Sequence, residues 1–204
     1  MFPHQQLDKA STRRNLRAAR AAITPEQRLA AAWAVTRSPQ ILRRLRHGQK
    51  IAIYVPVAGE FPTWPLILHA MQRGCEVYLP RTPRFGRQLQ FVRLDQQSRW
   101  QLGKFGIPVP CHPQTCDPKQ LDTVFVPLVG FDLQMARLGQ GGGYYDTTFA
   151  FRRLRRLWQK PKLIGLAFSV QQLANIPTEP WDLHLDAVQT ECKYLQAAVD
   201  QITN

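Results

Sequence analysis

The stretch from Lys50 to Pro80 most narrows what this chain can become. KIAIYVP and CEVYLP are short apolar, β-branched runs, and WPLILHAMQR between them has helical apolar spacing, with Thr63 placed as its cap and Gly74 as its stop. Strand, helix and strand in so short a span predict a parallel pair joined by a right-handed crossover. The alternation continues beyond it. Val124–Val129 is an apolar run bounded by Asp122 and Gly130, KLIGLAF (Lys162–Phe168) is another, and a β-like run follows Asp186. QLQFVR (Gln88–Arg93) alternates as an edge or hairpin strand does, and SVQQLA after Phe168 reads as a short helix. Upstream, residues 8–21 and 25–37 read as helices and 40–46 as a short helical piece. TPEQ (Thr24–Gln27) opens the second helix as a capping box with proline at its first position. The expectation is an α/β fold: one domain over residues 1–204, three α/β/α layers, a mostly parallel central sheet and N-terminal helices. The geometry of residues 82–120 stays open.

Charge narrows the partners without choosing one. The 204 residues carry 27 Lys+Arg against 14 Asp+Glu, a net charge of +13. Residues 1–50 hold eleven basic and two acidic residues, and residues 151–162 hold six basic and none acidic. Such a surface attracts ATP, a polycarboxylate or RNA about equally. No apolar stretch is long enough to span a membrane, and the four cysteines (75, 111, 116 and 192) read as reduced thiols, so a cytoplasmic location is expected. The Arg-rich, acid-poor beginning shares its composition with a mitochondrial transit peptide, but TPEQ within it looks like folded structure.

RLGQGGGYYDTTF, Arg137 to Phe149, concentrates four of the chain's 12 glycines. Glycine lets backbone N–H groups approach a ligand closely and take positive φ. The loop lies between the apolar run ending at Val129 and a stretch whose Tyr145, Phe149, Leu154 and Leu157 suit one side of a helix. Strand, glycine loop and helix together suit an anion, phosphate above all. A Walker A loop does not fit, since no Lys-Ser/Thr pair follows Gly143, and neither does a dinucleotide fingerprint, which needs its first glycine tight against the strand and an acid about twenty residues on. Arg137 and Asp146 bracket the glycines with the two charges a magnesium–nucleotide site uses. A glycine-rich turn without a ligand is the plainer alternative. Arg13, Arg17 and Arg20 recur at helical spacing and by themselves read as a solvated basic face; Asp186 by itself reads as a turn cap. Glu60 is one acid in an apolar loop after a strand, and it could meet the 137–146 loop beyond the strands' carboxyl ends.

Four segments together resemble the 5-formyltetrahydrofolate cyclo-ligase family, also called methenyltetrahydrofolate synthetases. They are RRNLR, YVPVAGEFPTWPLI, VPLVGFDLQMARLGQGGGYYD and WDLHLDAVQT, in order along nearly the whole chain. The resemblance implies an ATP- and Mg²⁺-dependent enzyme that converts 5-formyltetrahydrofolate to 5,10-methenyltetrahydrofolate, ADP and phosphate. It implies that Arg13, Arg17, Arg137, Gly139, Gln140, Gly141, Gly142, Gly143, Tyr144 and Tyr145 hold ATP. By the same implication Val55, Glu60, Gln140, Gly143 and Tyr144 hold the folate, Asp146 and Asp186 bind Mg²⁺, and Arg137 and Asp146 are the catalytic pair. The substrate is expected with or without a polyglutamate tail, the chain as a monomer, and Asp146→Ala as inactive but folded. Three positions depart from the family's pattern: Arg13 stands for a lysine, Pro62 for an acid and Thr147 for an arginine. An RNA-binding module would explain the charge, the RRLRR cluster at 152–156 and Trp158, but not Glu60, Asp146 and Asp186, because carboxylates repel phosphate unless a metal intervenes. A diverged enzyme using the loop for another phosphate compound is the remaining alternative.

Overall fold

The computed structural model describes residues 8–57, 59–154 and 160–197. The chain begins with α1 (Lys9–Ala21), α2 (Pro25–Arg37) and the single turn α3 (Pro39–Leu42). The Asp8 carboxylate caps α1 through the N–H groups of Ala10 and Ser11, and Thr24 and Gln27 form the expected reciprocal capping box on α2. Next come β1 (Lys50–Ala52), α4 (Trp64–Gln72) and β2 (Glu76–Arg81), with β1 and β2 parallel as predicted. Thr63 precedes α4 without capping it; its hydroxyl donates instead to the Tyr54 carbonyl at 2.7 Å, tying the helix start to the segment after β1.

The middle of the chain runs β3 (Gln90–Leu94), β4 (Arg99–Leu102), β5 (Pro108–Cys111), β6 (Thr115–Cys116) and β7 (Thr123–Pro127). A hairpin, β8 (Gly130–Phe131) and β9 (Arg137–Leu138), leads to α5 (Tyr144–Thr148), and β10 (Lys162–Leu166), β11 (Ala187–Gln189) and β12 (Tyr194–Gln196) complete the order. The main sheet runs β12-β11-β10-β7-β1-β2-β3-β6, with β11 through β2 parallel and the flanking strands antiparallel. The β3 strand is the hairpin strand of the two expected alternatives, antiparallel to β2, and not an edge, since β6 pairs outside it; its two consecutive buried residues break the alternation read from the sequence.

Strand periodicity divides the core. Ile51, Val77, Leu79, Phe125, Ile164 and Leu166 join Val35, Ile41, Leu66 and Ile67 of the helices in one cluster. Ala52, Tyr78, Val124, Val126, Leu163 and Val188 join Met135, Phe149, Leu183 and Leu185 in another. Among the described residues the second face is covered by the five-residue α5, a 3₁₀ segment Ala150–Leu154 and irregular chain around 183–185. The helix expected from Tyr145 onward therefore ends early: Tyr145 and Phe149 stack, Leu154 is exposed, and Leu157, Trp158 and Arg155–Arg156 of the basic cluster lie outside the described residues. Helix α1 packs through Leu16 on Val129, Ala136, Leu138 and Ile176.

The strand order reverses at β1. The chain moves from β1 to β2 on one side, then returns through β7 on the other. Ligands of open α/β sheets bind beyond the strands' carboxyl ends at such a switch point. The segments emerging there are 53–63 after β1 and 128–143 after β7, which contain Glu60 and the glycine loop.

Candidate functional site

A cleft of about 1060 Å³ opens at this switch point, near the upper end for small-molecule sites. Its walls include Val55, Glu60, Arg13, Arg137, Gly139 through Tyr145 and Asp146. All residues assigned to ATP or folate from the sequence therefore line one cleft, except Arg17, which contacts its wall.

The glycine loop is fixed from outside by α1. Arg13 Nε donates to the Gly139 carbonyl at 2.8 Å, and Arg17 Nη2 donates to Gln140 Oε1 at 2.6 Å. Two arginines of α1's basic face thus hold the loop, Arg17 from an exposed position. Gly141 and Gly143 have φ of +101° and +68°, values that an L side chain resists. A Cβ at Gly142 would stand 2.9 Å from the Tyr144 ring. Because α5 has only five residues, its dipole is small; guanidinium groups supply the positive field.

Arg137 and Asp146 meet directly. Arg137 Nη2 lies 2.6 Å from Asp146 Oδ1, which also accepts the Leu183 N–H at 3.0 Å. The Arg137 side chain is only 5% exposed, so Asp146 balances a nearly buried charge. Glu60 lies across the cleft, buried, accepting from Val57 N–H at 3.1 Å and from the Gln140 amide at 3.4 Å. Burial raises its carboxyl above the usual range, while those two hydrogen bonds and then the Arg20 charge oppose the rise. Burial likewise pushes the Tyr54 and Tyr145 phenols up, with the Glu60 charge adding to it, and the Tyr54 hydroxyl donates to the Phe61 carbonyl at 3.2 Å.

Asp186 is not brought to this cleft. It lines a neighbouring one, where Arg152 holds both its oxygens at 2.9 and 3.0 Å, Lys162 Nζ lies at 3.3 Å and the Leu163 N–H donates at 2.7 Å. Two cations and a backbone donor already satisfy this carboxylate. Asp132 of the FD pair has an organising role: its buried carboxylate accepts from Gln134, Ala136 and Ile176 N–H and shapes the β8–β9 turn, where Met135 takes a φ of +62°.

The sequence reading missed two contributors. Arg87, after β2, approaches within 3.5 Å of the position of a Cβ at Gly143. Phe105, between β4 and β5, is 69% exposed, has a φ of +62° and meets Tyr144 edge-on at 6.4 Å. Arg87 follows a parallel strand's carboxyl end and was legible by that rule. Phe105 depends on a hairpin folding over the cleft and left no local signal.

The family model for 5-formyltetrahydrofolate cyclo-ligases matches residues 5–191. The chain belongs to the 5-formyltetrahydrofolate cyclo-ligase family. The Haemophilus influenzae cyclo-ligase is 36% identical over 85% of this chain and 92% of its own, and the Escherichia coli cyclo-ligase is 32% identical over 87% and 97%. The Aquifex aeolicus 5,10-methenyltetrahydrofolate synthetase superposes with a TM-score of 0.78 at 26% identity over 96% of each chain. This cyclo-ligase accordingly acts on folate in one-carbon metabolism, and the family's reaction converts 5-formyltetrahydrofolate to 5,10-methenyltetrahydrofolate at the expense of ATP. Among the described residues, no helix is long and apolar enough to cross a membrane.

Proposed function

We propose that the switch-point cleft is where this cyclo-ligase holds ATP and 5-formyltetrahydrofolate together, with Gln140 at their boundary. The observation that carries the reading is the position of that residue: its side-chain oxygen accepts from Arg17, and its amide nitrogen donates to Glu60. Arg13, Arg17, Arg87 and Arg137 lie on the loop's side of Gln140, where phosphate oxygens would meet backbone N–H groups and fixed guanidinium forks. Glu60, Val55, Tyr144 and Phe105 form the other side, apolar walls with one carboxylate to accept N–H groups of the reduced pterin.

In this reading the formyl oxygen attacks the γ-phosphate and ADP leaves; N10 then attacks the activated carbon, and phosphate departs as the methenyl bridge closes. The protein's work is placement and charge neutralisation. The donors present fit Mg²⁺ held jointly with nucleotide: among the described residues no three His, Cys, Asp or Glu gather into a metal cage, while Asp146 stands on the glycine-loop wall with both of its described hydrogen bonds on Oδ1. Magnesium typically takes one or two carboxylates and the phosphates themselves. It would neutralise charge developing on those phosphates, while Arg137 holds the Asp146 carboxylate in place. The ultraviolet absorbance of methenyltetrahydrofolate tests the reading: it should rise only when 5-formyltetrahydrofolate, ATP and Mg²⁺ are all present, and Gln140→Ala should raise the KM of both substrates. A Gln140→Ala enzyme with both KM values unchanged would overturn the shared boundary.

A further inference from the structure

Arg20 is a nearly buried cation, 3% exposed, that none of the preceding roles uses. It lies on the same helix as Arg13 and Arg17, one turn further on, and points into the switch point. Its Nη1 donates to the Leu128 carbonyl at 3.3 Å, in the segment after β7. Its Nη2 stands 3.7 Å from the position of a Cβ at Gly59, in the segment after β1. Its Nε is buried without a partner. A buried guanidinium with so few bonds is costly unless a charge nearby offsets it. Glu60 is the carboxylate that does so most strongly, and burial lowers Arg20 while Glu60 acts against that lowering. We propose that Arg20 is a positioning residue for folate recognition: it lies between the two switch-point segments, bonded to the one after β7 and set against Gly59 of the one after β1, and so holds Glu60 in its place on the cleft wall. The proposal rests on the reading of Glu60 as the folate's acceptor. The other charged or titratable groups acting on this pair are Tyr54 of the segment after β1, Tyr145 of α5, Arg28 of α2 and Arg17 of α1.

The test is the pH profile of the two KM values in Arg20→Met, Arg20→Lys, Glu60→Gln and the double variant Arg20→Met/Glu60→Gln. Arg20 opposes the rise of the Glu60 carboxyl after the Val57 and Gln140 hydrogen bonds, so losing it moves that carboxyl further up and also frees the loop that carries it. Arg20→Met should therefore raise the 5-formyltetrahydrofolate KM about threefold or more, most at the acidic end of the profile. The ATP KM should hardly move, and Arg20→Lys should keep the parent profile. In the Glu60→Gln background the Arg20→Met effect should vanish. A folate profile in Arg20→Met that parallels the parent, or an equal rise in both KM values, overturns the proposal. If Glu60→Gln alone leaves the folate KM unchanged, the reading of Glu60 fails and takes this proposal with it. Should Arg20→Met not fold, Arg20→Gln, which keeps a donor for Leu128, gives the same readout.

Discussion

Asp146 shows how one side chain can carry two demands. It is the carboxylate we propose for magnesium, and it also balances Arg137, so Asp146→Ala should lose stability as well as turnover. Removing it leaves a guanidinium unpaired in a nearly buried place, at a cost of about 3 kcal/mol. Asp146→Asn keeps an oxygen for Arg137 and Leu183, and it should lower kcat by about a hundredfold or more with a much smaller loss of thermal stability. Glu60 makes the opposite trade. Its raised carboxyl binds a proton more tightly in the folded chain than in the unfolded one, so stability declines as pH rises from 4.5 through the raised value. Glu60→Gln should remove that decline, giving a Tm that falls less between pH 5 and 8, while folate binding weakens. A parent enzyme whose Tm is flat over that range would count against burial as the dominant influence on Glu60. Gly143→Ala places a Cβ at a φ of +68°, a strain of ~1 kcal/mol, and should weaken turnover more than stability because the loop, not the core, must shift.

At the scale of elements, the β4–β5 hairpin is the part the sequence described least. It forms a two-stranded sheet separate from the main one and sets Phe105 at the cleft, with Gly106 also at positive φ. Because the Phe105 ring is mostly exposed, Phe105→Ala should leave Tm nearly unchanged. The same variant should raise the 5-formyltetrahydrofolate KM by about 3- to 10-fold, the range an aromatic contact is worth. An unaltered folate KM would return Phe105 to a surface role. Helix α1 is the contrasting element: its limits were read closely from the sequence, while its spacing by itself said only that three arginines share a face and the resemblance alone assigned Arg13 and Arg17 to ATP. Only the path of β7 and the hairpin β8–β9 shows that Arg13 and Arg17 reach the glycine loop.

For the molecule as a whole, the charge of +13 acts through the cleft's cationic wall, where Lys9, Arg13, Arg87, Arg137 and Arg153 outnumber Glu60, Asp146 and Asp182. Salt shortens the reach of such a field. The KM for ATP should therefore rise with ionic strength, and the KM for a polyglutamylated folate should rise more steeply than that for the monoglutamate. Equal slopes for the two folates would separate the surface charge from tail recognition.

Local chemistry determined much of this protein in advance. The limits of α1 and α2, the capping box at Thr24, the parallel β1–α4–β2 unit and the glycine loop follow from periodicity, caps and turn residues, which act within a few positions of the chain. The meeting of Glu60 with that loop was legible too, because strand carboxyl ends gather where strand order reverses. Tertiary structure decided the rest. It ended α5 after five residues, since the second sheet face is filled by Met135, Leu183 and Leu185 from irregular chain. It folded Phe105 over the cleft, buried Arg20, and placed Asp186 with Arg152 and Lys162 in the neighbouring cleft instead of beside Asp146. Which charge pairs with which depends on contacts between segments tens of residues apart, and spacing along the chain does not encode that distance.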